Sequence, residues 1–277
     1  MIDTIPQLNL SELSPSRPPL RYHGSKWRIA PWVISMLPVH RNYVEVFGGA
    51  AGVLLRKDRS HIEVYNDLDR QVVSIFQILR DKTLSTELIR AVALTPFARE
   101  EFESSYDTSD DPIEAARRFI FRCYSGHGTC SVNPADSNGF RSCDIRAGKA
   151  YAREWDGIPE SISSAGSRLQ GVTIENLDFR RLIPKFDAPE TFFFVDPPYP
   201  RSTRDSGGKG YLHEMSDHDH EQLSWLLHQI KGRAMVCGYQ CGLYDRIYHD
   251  WTKAQKSTTA AGQSGAVPRT ECVWMNY

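Results

Sequence analysis

An acid, two prolines and a tyrosine, Asp196-Pro197-Pro198-Tyr199, follow directly on the apolar run Thr191 to Val195. A buried strand that ends in this way delivers its carboxylate to the rim of an open sheet, where the ligands of α/β proteins bind. Two prolines fix the backbone and remove competing N–H donors, and the tyrosine offers a flat face for stacking an extruded base. A carboxylate beside a backbone carbonyl suits one task well, which is to accept both N–H bonds of an exocyclic aromatic amine. Such an amine is a poor nucleophile because its lone pair is delocalised into the ring. Two acceptors draw the nitrogen towards sp³ geometry and free that pair for an electrophilic methyl group, and alignment of the reactants supplies much of the remaining acceleration. For the tetrapeptide alone, the alternative is a strand-ending turn with an ordinary rim aromatic.

A second constellation lies upstream. Glu45-Val46-Phe47-Gly48-Gly49-Ala50-Ala51-Gly52 places small residues where a backbone must approach a cofactor closely. Asp67, at the end of the next apolar run, is placed to bind ribose hydroxyls as acids do in dinucleotide folds. The Walker lysine pattern is absent, so a phosphate-binding P-loop is disfavoured. His218 and His220 fall in the first turn of an expected helix, where neighbouring side chains diverge, so no metal pair is read there.

The elements that must hold these residues alternate. Val44 to Phe47, the glycine turn and Val53-Leu54-Leu55 read as strand, turn and helix, and Ile62 to Tyr65 reads as a second buried strand. From about Gln71 to Tyr124 the pattern is helical, and Ser125 to Gly148, rich in Gly, Ser and Asn, reads as a loop or hairpin. Strands are expected again at Val172 to Ile174, Thr191 to Val195, Ala234 to Cys237 and Cys272 to Met275. A helix capped by Ser216 or Asp217 is expected over Asp217 to Ile230. The expected class is α/β, three-layered and mostly parallel, with six or seven strands.

Length and composition admit one large domain or one domain carrying an insert. The expected division is a flexible lead over 1–19, a catalytic domain over 20–75 and 166–277, and an insert over 76–165. No signal peptide or membrane-length apolar run is read, so a soluble cytoplasmic protein is expected. The six cysteines lack CxxC or Cys/His spacing and read as free thiols. A net charge of −1 excludes a generally basic nucleic-acid coat but not a local basic face. Between Ala115 and Arg153 seven basic residues stand against two acidic ones, a candidate phosphate-contacting surface or an ordinary solvated one.

Taken together, Tyr22-His23-Gly24-Ser25-Lys26, Val44 to Gly52, Asn66-Asp67, Asn176-Leu177-Asp178-Phe179 and Asp196 to Tyr199, in this order, resemble the Dam-type DNA adenine methyltransferases of bacteria and phages. Gly238-Tyr239 and Arg269-Thr270-Glu271 to Asn276 resemble the family's last strands, so the likeness covers about residues 20 to 277. It implies a mostly parallel seven-stranded Rossmann-like methyltransferase sheet with helices on both faces and a small helical or hairpin target-recognition insert. It also implies S-adenosylmethionine as methyl donor and N6 of a flipped adenine in double-stranded DNA as acceptor; methyl transfer from a sulfonium needs no metal, and a monomer in solution that can pair on a palindromic site is expected. Carried over by position, Tyr22 and Lys26 contact the cofactor, Glu45, Phe47 and Gly49 line its methionine end, Asp67 binds ribose, and Asp178 and Phe179 hold its adenine. Asp196 to Tyr199 take the target base. Methylation of cytosine at N4 poses the same chemical problem and stays the nearest alternative, ahead of a silent DNA-binding protein with this fold.

Two departures from the family pattern stand out. Ala51 occupies a position where many members have glycine, a change expected to cost little because alanine is nearly as small. In place of the loop by which Dam proteins read GATC, the insert has Tyr124 to Thr129 and Asn138-Gly139-Phe140-Arg141, so that site is not implied. Arg141, Asn138 and Asn133 are the candidate base readers, or else hairpin turn residues. Arg21, Arg122, Arg201, Arg204 and Lys209 are candidate DNA contacts, the last three in a Gly-rich stretch expected to close over the flipped nucleotide.

Overall fold

The structure, a computed structural model, describes residues 15–22, 24–127, 139–145, 148–204, 211–262 and 265–277. Seven strands, β1 (Asn42–Glu45), β2 (Ile62–Asn66), β3 (Val172–Glu175), β4 (Thr191–Val195), β5 (Arg233–Gly238), β6 (Thr252–Gly262) and β7 (Gly265–Met275), form one sheet in the order β3-β2-β1-β4-β5-β7-β6. The first five are mutually parallel, while β7 runs antiparallel to both β5 and β6. β4 is buried along its whole length because parallel strands with helices on both faces expose neither. Its side chains alternate accordingly: Phe192 and Phe194 join the core on one face, Phe193 and Val195 the core on the other.

Four helices, α2 (Arg70–Arg80), α3 (Lys82–Leu94), α5 (Pro112–Ser125) and α7 (Ile158–Leu169), pack together and share the first core, which also takes α1 (Ala30–Ile34). With the short α4 (Arg99–Ser104) and α6 (Tyr151–Trp155), they make up the long connection from β2 to β3. α8 (Phe179–Phe186), α9 (Asp217–Leu227) and α10 (Gly242–Ile247) supply the second core. Acids cap most of the long helices, Asp69 on α2, Asp81 on α3, Asp111 on α5 and Asp178 on α8, while Ser216 and Asp219 form a reciprocal capping box on α9.

Three local expectations meet a different outcome. The helix read at Val53 to Leu55 is a run of turns, because Leu54 gives its N–H to the Glu45 carboxylate at 2.9 Å and not to a carbonyl one turn back. β6 is an additional strand, polar in sequence and lying at the sheet edge. The lead read as flexible to Pro19 is docked over its described part, which starts at Pro15: Pro18 O accepts from the Tyr124 hydroxyl at 2.5 Å and Arg17 O from Ser161 Oγ at 2.8 Å. Leu20 is fully buried where this strap enters the core.

β1 has β2 and β4 as neighbours, so the chain order reverses beside it, and the carboxyl ends of these strands frame a crevice.

Candidate functional site

The glycine turn after β1 is shaped by what presses on it. A side chain at Gly48 would start 2.1 Å from the Tyr65 ring, and one at Gly52 would meet the Trp27 backbone nitrogen at 2.9 Å. Gly52 therefore lets the lysine-bearing segment cross directly over the turn. Gly49 has φ +48 and donates its N–H to Asp67 Oδ2 at 2.8 Å, while its carbonyl accepts from the Tyr65 hydroxyl at 2.7 Å. Ala51 has φ +54, alone among the described non-glycine residues in the left-handed region. The cost of alanine here is thus conformational and not one of size.

Lys26, brought over the turn in this way, ends at the tetrapeptide. Its ammonium lies 2.8 Å from Asp196 Oδ2, donates to Gly24 O at 2.9 Å and sits 4.8 Å from the centre of the Tyr199 ring. Burial opposes the lysine charge, but Asp196 and Glu271 outweigh it and hold the Lys26 pKa above its usual value. Asp196 is itself pushed up to about 6 by burial, with Lys26 acting against that rise. Its second oxygen, Oδ1, is buried and without a hydrogen-bond partner. An unpartnered buried carboxylate oxygen is costly, and such atoms mark places where a ligand completes the bonding.

Asp196 lies on the wall of a cavity of about 290 Å³, and all eight residues expected to hold a cofactor line it: Tyr22, Lys26, Glu45, Phe47, Gly49, Asp67, Asp178 and Phe179. The walls differ in chemistry. Phe47 and Phe179 form an aromatic cleft, with ring centres 5.9 Å apart and planes inclined by 43°, at one side. Glu45 is a buried acid and Asp67 a partly buried one, raised by desolvation to about 8 and about 6. Both also brace the turn, Glu45 accepting from Tyr43 Oη and Leu54 N, and Asp67 from the N–H groups of Gly49 and Asp69. A cavity with an aromatic cleft, a closely approached backbone turn and desolvated acids fits a cation that carries an aromatic base and hydroxyls.

Sequence reasoning missed part of this wall. Asp69 accepts from the Tyr22 hydroxyl at 3.1 Å while capping α2, and its spacing from Asp67 was the available signal. Tyr211 to Met215 and Asp219 also line the cavity. No motif marks that stretch. Outside the wall, Glu271 of β7, also missed, accepts from the Tyr199 hydroxyl at 2.8 Å.

The basic residues expected at DNA divide into three groups. Arg201 is well exposed, with 79% of its side chain accessible, and Arg21 is half-buried with one terminal nitrogen unpartnered. Arg122 and Arg141 are buried instead. Arg122 donates to Ser105 O and Gln71 and lies against the Tyr106 and Phe119 rings, so its charge is not offered to a phosphate, because it sits on the inner face of α5. Arg141 stacks 3.6 Å above the Tyr151 ring and pairs with Glu154 at 2.9 Å. Arg204 grips Glu214 with both terminal nitrogens, which ties the two flanks of the Gly-rich stretch together. Asn133, Asn138 and Lys209 lie outside the described residues.

Among the described residues no group of three or more His, Cys, Asp or Glu side chains is arranged to hold a metal, and no helix is long and apolar enough to cross a membrane. Comparison with curated proteins finds no match. Among solved structures, that of precorrin 8w decarboxylase from Methanobacterium thermoautotrophicum is similar at 10% identity and a TM-score of 0.38, with 96% of each chain covered, a likeness that carries no argument about function. Over residues 22–259 the sequence matches the family model described as D12 class N6 adenine-specific DNA methyltransferase.

Proposed function

The chain belongs to the D12 class N6 adenine-specific DNA methyltransferases, and from that premise we propose that it methylates a flipped-out adenine in double-stranded DNA with S-adenosylmethionine, at the site built around Asp196. The observation that carries this reading is the division of labour within one carboxylate: Lys26 occupies Oδ2 at 2.8 Å, and buried Oδ1 has no partner.

When bound, S-adenosylmethionine supplies an electrophilic methyl group. Asp196 Oδ1 accepts one N–H of the adenine amine, and the backbone carbonyl of Pro197 accepts the other. Lys26 fixes the carboxylate and favours its ionised form, the form that accepts. Tyr199 holds the base by stacking, at about 1–3 kcal/mol for a base on an aromatic ring. Transfer would break the donor's sulfur–methyl bond as the nitrogen–carbon bond forms, leaving neutral S-adenosylhomocysteine, and the amine nitrogen, which gains the positive charge, must lose a proton. Asp196, raised by burial to about 6, is matched to receive it near neutral pH.

For the donor, Phe179, in the cleft with Phe47, suits its adenine, Asp178 at the same wall suits the exocyclic amine of that base, and Asp67 suits the ribose hydroxyls. Asp67, and Glu45 once a neighbouring sulfonium draws it into its ionised form, favour the positively charged donor over its neutral thioether product. The segment 76–165 is assigned to target recognition, with Asn133 and Asn138 as base readers and Arg21 and Arg201 on phosphates, whereas Arg141, buried against Tyr151 and paired with Glu154, braces α6 instead of reading a base. The protein acts as a cytoplasmic monomer in this reading.

Incubation of the purified protein with unmethylated genomic DNA and S-adenosylmethionine, followed by digestion and mass identification of nucleosides, tests the proposal. N6-methyladenine is the expected product. N4-methylcytosine, or no methylated base from a protein that binds the donor, contradicts it.

A further inference from the structure

Because β7 runs against β5, Glu271 arrives at the same end of the sheet as Asp196, although it stands 72 positions beyond Tyr199. The Tyr199 hydroxyl donates to Glu271 Oε2 at 2.8 Å. The Tyr239 ring meets the Tyr199 ring edge-on, with centres 4.8 Å apart and planes at 76°. Lys26 sits over the Tyr199 ring. The ring is therefore held at its hydroxyl, at its edge and on a face, and only 5% of the residue is accessible. Glu271 is not part of the cavity wall, and it lies beyond residue 259, where the family match ends.

We propose that Glu271 is a positioning residue for methyl transfer: its carboxylate fixes the orientation of Tyr199, the platform on which the target base is held. The proposal rests on the reading of Tyr199 given above. A tyrosine ring has two soft torsions; a hydrogen bond at its far end restrains the first, and because the hydroxyl oxygen lies on the axis of the second, the Tyr239 edge and Lys26 over the face hold the ring plane. Misplacement of a reacting group by about 1 Å is enough to cost on the order of a hundredfold in rate. Tyr199 shares the tetrapeptide with Asp196, so a turned ring misaligns the amine against Oδ1 without disturbing the donor cavity.

The test compares Glu271→Ala, Glu271→Gln, Tyr199→Phe and the double variant Tyr199→Phe/Glu271→Ala. Single-turnover methyl transfer to DNA is measured at saturating S-adenosylmethionine, and donor binding is followed by calorimetry to report an intact fold. Glu271→Ala is expected to slow transfer about ten- to hundredfold while donor affinity stays within about twofold. Glu271→Gln, which keeps an acceptor oxygen, should return the rate to within about fivefold of the wild type. On the Tyr199→Phe background, removal of Glu271 should cost no more than about twofold further, since residues acting through one bond are non-additive. A wild-type rate for Glu271→Ala, a loss that glutamine does not rescue, or losses that multiply in the double variant each overturns the proposal. Absence of N6-methyladenine from wild-type reactions overturns the reading of the site as well, whereas a fast Glu271→Ala enzyme overturns this inference alone.

Discussion

Both ends of the sheet bury charge, and they do so differently. At the amino ends of the strands, Glu63 accepts from Lys57 at 2.6 Å and from both terminal nitrogens of Arg168 at 2.7 and 2.8 Å, all three residues less than 5% accessible. None of these three side chains leaves a buried polar atom unpartnered. At the carboxyl ends, Lys26 and Asp196 form an ion pair of similar length, yet Asp196 Oδ1 is unpartnered. The first cluster is closed, and it stitches α7 to β2 through Arg168. The second is open by one acceptor. A closed network stabilises a fold, whereas an open one holds bonding capacity in reserve for a ligand.

The largest effect that sharpens this contrast is expected at the closed end. Glu63→Gln leaves Lys57 and Arg168 buried without a counter-charge, which should destabilise the protein by about 3–5 kcal/mol. Thermal unfolding would then fall by roughly 10 °C, while methyl transfer per folded molecule stays near wild type. Unchanged unfolding would show that the cluster is not a structural keystone.

The two ends should also answer pH with opposite sign. Burial raises Glu45 to about 8 and Asp67 and Asp196 to about 6, so the folded state binds protons that the unfolded chain has released. That contribution to stability is present below their ordinary range and is lost as pH rises through these values. Burial also works against Glu63, but Arg168 and Lys57 overcome it and hold Glu63 below its usual value, so its contribution is present above the usual carboxylate range and lost as pH falls. The unfolding temperature of the donor-free protein should drop between about pH 6 and pH 8, and Glu45→Gln should flatten that drop. A slope that Glu45→Gln leaves unchanged would assign it elsewhere.

The smallest effect concerns Ala51. Relief of its left-handed backbone by Ala51→Gly should raise stability by up to about 1 kcal/mol, set against the greater freedom glycine gives the unfolded chain. Denaturant titration measures it, and a loss of stability would show that the alanine methyl group packs better than its backbone suffers.

Local pattern made much of this legible. β4, the tetrapeptide after it and the glycine turn announce themselves because apolar runs, prolines and glycines act on their own neighbours, and the eight expected cofactor residues do meet at one cavity. What escaped depends on distant partners. The turns at Val53 to Leu55 replace a helix because a carboxylate nine residues back captures one N–H. Arg122 reads as a surface cation in a basic stretch, but the turn of α5 that buries Phe119 and Cys123 takes it inward too. β6 carries no apolar alternation over Thr252 to Thr259, as suits an edge strand, and Glu271 acquires meaning only when an antiparallel strand brings it to Tyr199. Volume alone makes Ala51 look harmless, and its backbone angle is what sets it apart.

The central claim is that Asp196 Oδ1 is the acceptor reserved for the target amine. Asp196→Asn keeps the shape and removes the charge, so single-turnover methyl transfer to adenine, with DNA and S-adenosylmethionine saturating, tests it most directly. A fall of at least about a thousandfold with donor binding retained is the predicted result, and a rate within about tenfold of wild type would contradict it.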